Sequence, residues 1–196
     1  MGLVLEGYAI VSADGMLADA AGIMPDSLKF EADRRFFEDG LDRVDVVVHG
    51  RHSDERQPRS HLRRRLILTR QIPALAADPS NDKALLWNPA GVSFEEALAM
   101  LGTPQGRAGI IGGTDVFGMF LDRYDNFHLT RASGVRLPGG RPVFPGVPAQ
   151  TPEEVLARHG LRHGRRQVLD PATGLVVVSW QRISARPACS DQQDDD

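Results

Sequence analysis

Three short apolar runs constrain the fold of this chain more than any other feature of its sequence. They are residues 44–49 (VDVVVH), 66–69 (LILT) and 109–111 (GII). Each run is almost continuously apolar and does not alternate with polar residues, which is typical of strands covered on both faces. Amphipathic helical patterns separate the runs. Strands that alternate with helices predict an α/β fold with a largely parallel sheet.

The remaining elements are consistent with that architecture. Further strands are predicted at residues 3–12, 84–87, 127–130, 167–169 and 175–182. Helices are predicted at residues 27–39, 93–101 and 114–123, with a fourth that begins at Thr151. The last two strands are joined by a loop with hairpin residues, so we expect them to be antiparallel. The predicted fold is therefore a mostly parallel central sheet, flanked by helices, with an antiparallel C-terminal strand.

Length and composition exclude several classes of protein. A chain of 196 residues predicts one domain, residues 1–183, followed by a disordered acidic tail, residues 184–196. The single cysteine, Cys189, excludes an intrachain disulfide and a cysteine zinc site, and the six histidines show no metal-binding spacing. The net charge of −3 argues against nucleic acid binding. Without a long apolar stretch or a basic leader, we expect a cytoplasmic protein, monomeric or homodimeric, without a membrane span.

Glycine, arginine and hydroxyl side chains follow the three apolar runs. The first run leads into Gly50, Arg51, His52 and Ser53, the second into Thr69 and Arg70, and the third into Gly112, Gly113 and Thr114. Ligands in open α/β sheets bind beyond the carboxyl ends of the strands. Glycine allows close approach of the backbone, and arginine binds phosphate through two hydrogen bonds. The three segments together therefore predict a phosphate-binding edge.

Two other segments leave alternatives open. Asp33 lies beside Phe36 and Phe37, where its carboxylate is either desolvated and functional or paired with Arg34, Arg35 or another exposed charge. The basic run that includes Arg63 and Arg64 is either a solvated loop or the holder of a carboxylate.

In their order along the chain, these segments resemble the dihydrofolate reductase superfamily, over residues 8–182. The matching motifs are the first strand from Tyr8, Met24 with Pro25, Asp33 with Phe37, the segment from Gly50 to Ser53, Thr69 with Arg70, Gly112 with Gly113, Thr130, and Phe144 with Pro145. The segment from Ser12 to Ala18 also resembles the reductase domain of riboflavin biosynthesis.

The resemblance implies roles for individual residues. Asp33 would be catalytic, and the substrate would be bound by Ala9, Leu28, Phe37, Arg63, Arg64, Ile111 and Thr130. The cofactor NADPH would be bound by Ile10, Leu17, Gly50, Arg51, His52, Ser53, Thr69, Arg70, Gly112, Gly113, Thr114, Asp115, Val116 and Phe117. The resemblance also implies a cis peptide bond between Gly112 and Gly113, and no metal.

The expected function is NADPH-dependent reduction of a small-molecule substrate, a pterin-like heterocycle such as dihydrofolate or a related dihydropterin. Two alternatives remain open. One is the reduction of a riboflavin-pathway pyrimidine. The other is a nucleotide-binding protein of this fold without turnover, because the carboxylate of Asp115 stands where the resemblance places a pyrophosphate.

Overall fold

The computed structural model describes residues 2–53 and 59–183. The eleven strands are β1 (Leu3–Ser12), β2 (Met16–Ala18), β3 (Val46–Gly50), β4 (Arg65–Leu68), β5 (Leu75–Ala77), β6 (Ala84–Trp87), β7 (Gly106–Ile110), β8 (Asn126–Ala132), β9 (Arg141–Pro142), β10 (Leu161–Asp170) and β11 (Leu175–Arg182). The four α-helices are α1 (Glu31–Leu41), α2 (Phe94–Met100), α3 (Thr114–Met119) and α4 (Pro152–Arg158). The predicted tail, residues 184–196, lies outside the described residues.

Nine of these strands form one mixed sheet in the order β10-β11-β8-β1-β7-β3-β4-β6-β5. The six central strands, from β8 to β6, are parallel to one another. At one edge of the sheet β11 is antiparallel to β8, and β10 is antiparallel to β11. At the other edge β5 is antiparallel to β6. This arrangement confirms the predicted α/β fold, including its antiparallel C-terminal strand. The strands β2 and β9 pair separately.

The three apolar runs are central strands because both of their faces are covered. Val47, Val48, Leu66 and Ile110 are completely buried. Burial of apolar surface contributes about 25 cal/mol per Å² to stability. These fully covered strands are therefore the main stabilising part of the sheet. Alternation along β1 divides its side chains between the two faces, because Leu5 and Val11 belong to the large aromatic-rich core, whereas Tyr8 packs beside α1.

Two helix bounds predicted from the sequence are wrong. The first helix begins at Glu31 and not at residue 27, because Lys29 leaves the helical region and residues 26–28 form a separate 3-10 turn. The third helix ends at Met119, four residues earlier than predicted, and the chain continues in turns to Tyr124. By contrast, α2 and α4 begin at complete capping boxes.

The strand β10 is much longer than predicted. It covers ten residues, whereas the apolar pattern indicated only residues 167–169. Most of its side chains are exposed, among them Arg162, Arg165 and Arg166, because the strand forms the outer edge of the sheet. A search for apolar runs does not detect a polar edge strand. Within residues 2–53 and 59–183, no helix is long and apolar enough to cross a membrane.

Candidate functional site

The predicted phosphate-binding edge begins where β3 and β7 end side by side. The backbone N–H of Gly50 donates to the carbonyl oxygen of Gly112 at 2.8 Å. The peptide bond between Gly112 and Gly113 is cis, as predicted. Gly112 has a φ of +109°, and a Cβ added there would lie 2.8 Å from the Phe117 ring. Only glycine therefore fits at position 112, for both backbone and steric reasons.

The loops after β3, β4 and β7 lie next to one another. Arg51 Nη1 donates to Gln71 Oε1, which links the loops after β3 and β4. The Gln71 backbone N–H donates to the buried Thr69 hydroxyl at 3.2 Å. A Cβ added to Gly113 would lie 3.2 Å from Ser53 Oγ, so the serine borders the glycine pair. The structure thus brings the three predicted segments together.

Residues at this edge fit the phosphates of a dinucleotide. Arg51 and Arg70 are exposed cations, the hydroxyls of Ser53 and Thr69 supply neutral polar groups, and Gly113 contributes backbone without a side chain. Phosphate groups prefer this combination of donors. The predicted cofactor residues Gly50 and Gly112 contribute backbone as well.

The other predicted cofactor residues have different surroundings. Val116 and Phe117 are buried in the core, so their side chains support the glycine pair from beneath. Ile10 is also buried, and Leu17 is partly buried, whereas His52 and Asp115 are exposed. The Thr114 hydroxyl donates to the carbonyl oxygen of Pro142, which ties the start of α3 to β9.

Asp33 lies in the first turn of α1, on the side of the helix that faces the sheet. The buried hydroxyl of Thr130, on β8, donates to its carboxylate. Burial raises the pKa of Asp33 from 3.8 to about 6, although the hydrogen bond from Thr130 acts in the opposite direction. Desolvation disfavours the charged form of a carboxyl group more than one hydrogen bond favours it.

The alternative of an ion-paired Asp33 is wrong. Arg34 pairs with Glu31 and Glu38, both at 2.6 Å, and Arg35 approaches Glu31 at 3.5 Å. These contacts run along the outer surface of α1. The pKa of Asp33 is consequently set by burial and by Thr130. A buried carboxyl group of this kind is more typical of a functional site than of a surface ion pair.

Aromatic side chains continue from Asp33 along the helix–sheet interface. Phe37 lies one turn beyond Asp33 and meets the Tyr8 ring edge-on at 6.3 Å. Ile111 packs in the same cluster. Two predicted substrate-binding residues lie outside this cluster. Leu28 is completely buried against Ile10, and Ala9 packs with the core on the opposite face of the sheet.

A buried polar network beside this cluster was not predicted. The Tyr8 hydroxyl donates to Glu6 at 2.7 Å, and the Tyr8 ring stacks on His128 at 4.7 Å. Burial and the neighbouring Glu6 raise the pKa of Tyr8, and burial lowers the pKa of His128. The two-residue period of a strand would have indicated that both side chains lie on this face, because Tyr8 shares a face with Ile10 and His128 shares one with Thr130.

The predicted carboxylate-binding arginines lie at the far end of α1 from Asp33. Arg63 pairs with Asp42, just after the helix, at 2.6 Å. Arg64 Nη1 donates to the carbonyl oxygens of Leu101 and Gly102. At 1.5 Å per residue, the helix separates Asp33 from Asp42 by about 13 Å. Neither arginine contacts Asp33, and their binding of a substrate stays a prediction.

Comparison with known proteins identifies the fold. No protein-family model and no curated protein matches the chain. A crystal structure assigned to riboflavin biosynthesis, from Shewanella sp. PV-4, is 21% identical with a TM-score of 0.66, over 92% of this chain and 99% of that one. Dihydrofolate reductase from Enterococcus faecalis, complexed with NADP(H) and RAB-propyl, is 18% identical with a TM-score of 0.62, over 92% and 97%.

A third similar structure is bifunctional. It is the diaminohydroxyphosphoribosylaminopyrimidine deaminase/5-amino-6-(5-phosphoribosylamino)uracil reductase of Thermotoga maritima, 16% identical with a TM-score of 0.68. The match covers 93% of this chain and 57% of the Thermotoga chain. These similarities establish that the chain has the dihydrofolate reductase-like fold, as its motifs implied.

Proposed function

We propose that this chain, which has the dihydrofolate reductase-like fold, is an NADPH-dependent reductase of a pterin-like heterocycle, dihydrofolate or a related dihydropterin. The observation that carries the proposal is Asp33, a desolvated carboxyl group with a pKa of about 6, held by Thr130 at the helix–sheet interface. Acids with a pKa near the working pH are the most effective proton donors.

Asp33 has two tasks in this reaction. Its carboxylate accepts hydrogen bonds from the amidine-like edge of the ring, and its proton is available to the neighbouring ring nitrogen, directly or through one water. Thr130 holds the carboxylate in place through its hydroxyl. Phe37 and Ile111 provide an apolar surface that excludes bulk water from the ring.

NADPH supplies the hydride, and the chain binds and orients this cofactor. Gly112 and Gly113 let the backbone approach the pyrophosphate, and Ser53 and Thr69 offer hydroxyl groups. Arg51 and Arg70 extend from neighbouring loops and would hold the additional phosphate that distinguishes NADPH from NADH.

A second candidate is the reduction of a riboflavin-pathway pyrimidine. It is favoured by the similarity to the Shewanella and Thermotoga structures. It is also favoured by Arg63, whose guanidinium pairs with Asp42 and lies far from Asp33, so a folate carboxylate would compete with that ion pair.

The test is NADPH oxidation measured with dihydrofolate, dihydrobiopterin and 5-amino-6-(5-phosphoribosylamino)uracil in parallel. Turnover of either dihydropterin substrate, abolished in Asp33→Asn, supports the first proposal, and exclusive turnover of the pyrimidine supports the second. Tight NADPH binding with no turnover of any of the three contradicts both and favours a nucleotide-binding protein without activity.

A further inference from the structure

His49 is a buried histidine that directly precedes the first segment of the predicted phosphate-binding edge. Its side chain is 1% exposed. It lies two residues beyond Val47 on the same face of β3, the face on which Val47 packs with Tyr8 and Leu41. Histidine has only an intermediate tendency to be buried. The hydrogen bonds of this ring therefore have to account for its place in the sheet.

Two hydrogen bonds fix the tautomer of His49. Its Nδ1 atom lies 2.9 Å from the carbonyl oxygen of Gly50, and because that oxygen can only accept, Nδ1 carries the proton and donates. Its Nε2 atom lies 3.3 Å from Arg65 Nη1, and because a guanidinium can only donate, Nε2 accepts. A second proton on the ring would set two donors against each other. His49 is therefore neutral.

Arg65 holds the His49 ring from the neighbouring strand. It is 4% exposed, and it lies on the same face of the sheet because it is opposite Val47 in the register of β3 and β4. Its Nη2 atom donates to the carbonyl oxygen of Ser60 at 3.0 Å. The guanidinium is thus fixed at a second point, and it keeps the His49 ring in one orientation.

The carbonyl oxygen of Gly50 joins His49 to the turn that follows β3. This oxygen also accepts the backbone N–H of Ser53 at 3.0 Å, the hydrogen bond that closes a four-residue turn. The backbone N–H of Gly50 donates to Gly112, and a Cβ added to Gly50 would lie 3.8 Å from the Gly113 nitrogen. The hydrogen bond from His49 therefore acts where the turn meets the glycine pair.

This turn carries two of the groups that are proposed to bind the cofactor phosphates. Arg51 is its second residue and Ser53 is its fourth. The Gly50 carbonyl belongs to the peptide that leads into Arg51, so rotation of this peptide would displace the guanidinium that reaches Gln71. Glycine makes such a rotation easy. The additional hydrogen bond on the Gly50 oxygen opposes it.

We propose that His49 is a positioning residue of the cofactor site, an inference that rests on the proposed function. Its neutral tautomer, oriented by Arg65, fixes the peptide between Gly50 and Arg51 and so holds the turn in the shape that binds phosphate. In the sheet β3 lies three strands from β8, which places His49 roughly 14 Å from Thr130. His49 should therefore affect cofactor binding and leave the chemical step unchanged.

Two variants separate positioning from packing. In His49→Asn the amide nitrogen takes about the place of Nδ1 and can still donate to Gly50, whereas in His49→Gln it takes about the place of Nε2 and cannot. Both variants lose part of the buried ring, so both should have lower melting temperatures than the wild type. The dissociation constant for NADPH should rise by less than about threefold in His49→Asn and by about tenfold or more in His49→Gln.

Steady-state kinetics should separate in the same way. With a substrate that the wild type reduces, KM for NADPH should rise in His49→Gln, and kcat at saturating NADPH should change by less than about twofold. The matched control His163→Gln, on the exposed edge strand β10, should change neither quantity.

Nitrogen-15 spectra of the histidine rings test the tautomer in the wild type without any ligand. At pH 7 the ring assigned to His49 should have a protonated Nδ1 and an unprotonated Nε2. A proton on Nε2, or equal NADPH affinities of the Asn and Gln variants, would overturn this inference and leave the proposed function intact. A wild type that binds no NADPH would overturn both.

Discussion

Asp33 destabilises the folded state at the pH where it would work. Its pKa of about 6, against 3.8 in an unfolded chain, means that the folded state binds this proton more tightly. The contribution of Asp33 to the free energy of unfolding is therefore greatest below about pH 4, and it is lost as the pH rises to about 6. At about 1.4 kcal/mol for each pH unit between the two pKa values, the effect is at most about 3 kcal/mol.

Asp33→Asn should therefore stabilise the protein and inactivate it together. At pH 8 we expect a gain of about 1–2 kcal/mol in the free energy of unfolding, because the desolvated charge is removed. At pH 3.5 the gain should vanish, since Asp33 is then protonated. Urea denaturation at both pH values measures this difference. A variant less stable than wild type at pH 8 would contradict the assigned burial.

The same variant tests the catalytic role. Loss of a positioned acid should lower the rate at pH 7 by about 10²-fold or more, and the loss should shrink as pH falls and substrate becomes protonated. NADPH affinity should change by less than about threefold, because the cofactor edge does not depend on this carboxylate. Full activity of Asp33→Asn at pH 7 would remove Asp33 from the mechanism.

Gly112 is the position at the predicted phosphate-binding edge where no side chain fits. In Gly112→Ala the Cβ would meet the Phe117 ring at 2.8 Å, with φ at +109°. We expect a loss of about 2–4 kcal/mol in the free energy of unfolding from strain and overpacking. Gly139→Ala is the matched control, since φ is +71° but nothing lies within 4 Å, and should lose only about 1–2 kcal/mol. Equal losses would show that sterics at Gly112 are unimportant.

At the scale of elements, the loops after β3 and β4 would select the cofactor in the proposed reaction. Two guanidiniums on one phosphate make several charge-assisted hydrogen bonds, so NADPH should bind at least about tenfold more tightly than NADH. Arg70→Ala should narrow this difference, whereas Arg162→Ala on β10 should preserve it. Fluorescence titration with both cofactors gives the ratio, and equal dissociation constants in the wild type would exclude this assignment.

Arg182 joins three elements through backbone carbonyls. Its guanidinium donates to Leu121, Tyr124 and His159 at 2.8–3.0 Å, connecting β11 to the turn after α3 and to the end of α4. Arg182→Met should lower the free energy of unfolding by about 2–4 kcal/mol, because three partly buried backbone carbonyls lose their donor. Arg165→Met, on the exposed edge, is the control and should change stability by less than about 0.5 kcal/mol. Similar melting temperatures for both variants would contradict this role.

Local sequence patterns predicted the elements whose signals are local. The buried strands and the helix starts at Ser93 and Thr151 were predicted because apolar runs and helix-start residues lie within a few positions of one another. The start of α1 was misplaced because the cap-type Ser27 lies within a separate 3-10 turn. The short strands β2, β5 and β9 were missed because two or three residues carry too little pattern; β2 and β9 form by pairing with each other across the chain, and β5 by pairing with β6.

For the whole molecule, strand order brings together groups that are distant in sequence. Thr130 reaches Asp33 because β8 lies beside β1, where Thr130 is opposite Ile10 and α1 covers that face. The sequence resemblance implied a role for each of these two residues, but the residues alone left Asp33 ambiguous. The hydrogen bonds of His49 were not foreseen, because its partner Arg65 comes from the neighbouring strand.

The exposed edge strand β10 also has a consequence for behaviour at high concentration. A ten-residue strand with one unpaired side could recruit a second sheet, and thereby nucleate aggregates. Arg162, Arg165 and Arg166 form no ion pair with another residue in the described ranges, so two such edges repel each other. Replacing all three by Thr should leave the melting temperature nearly unchanged but increase light scattering at high protein concentration, most strongly at low salt. These arginines would therefore keep the protein dispersed at high concentration without contributing to the stability of the fold.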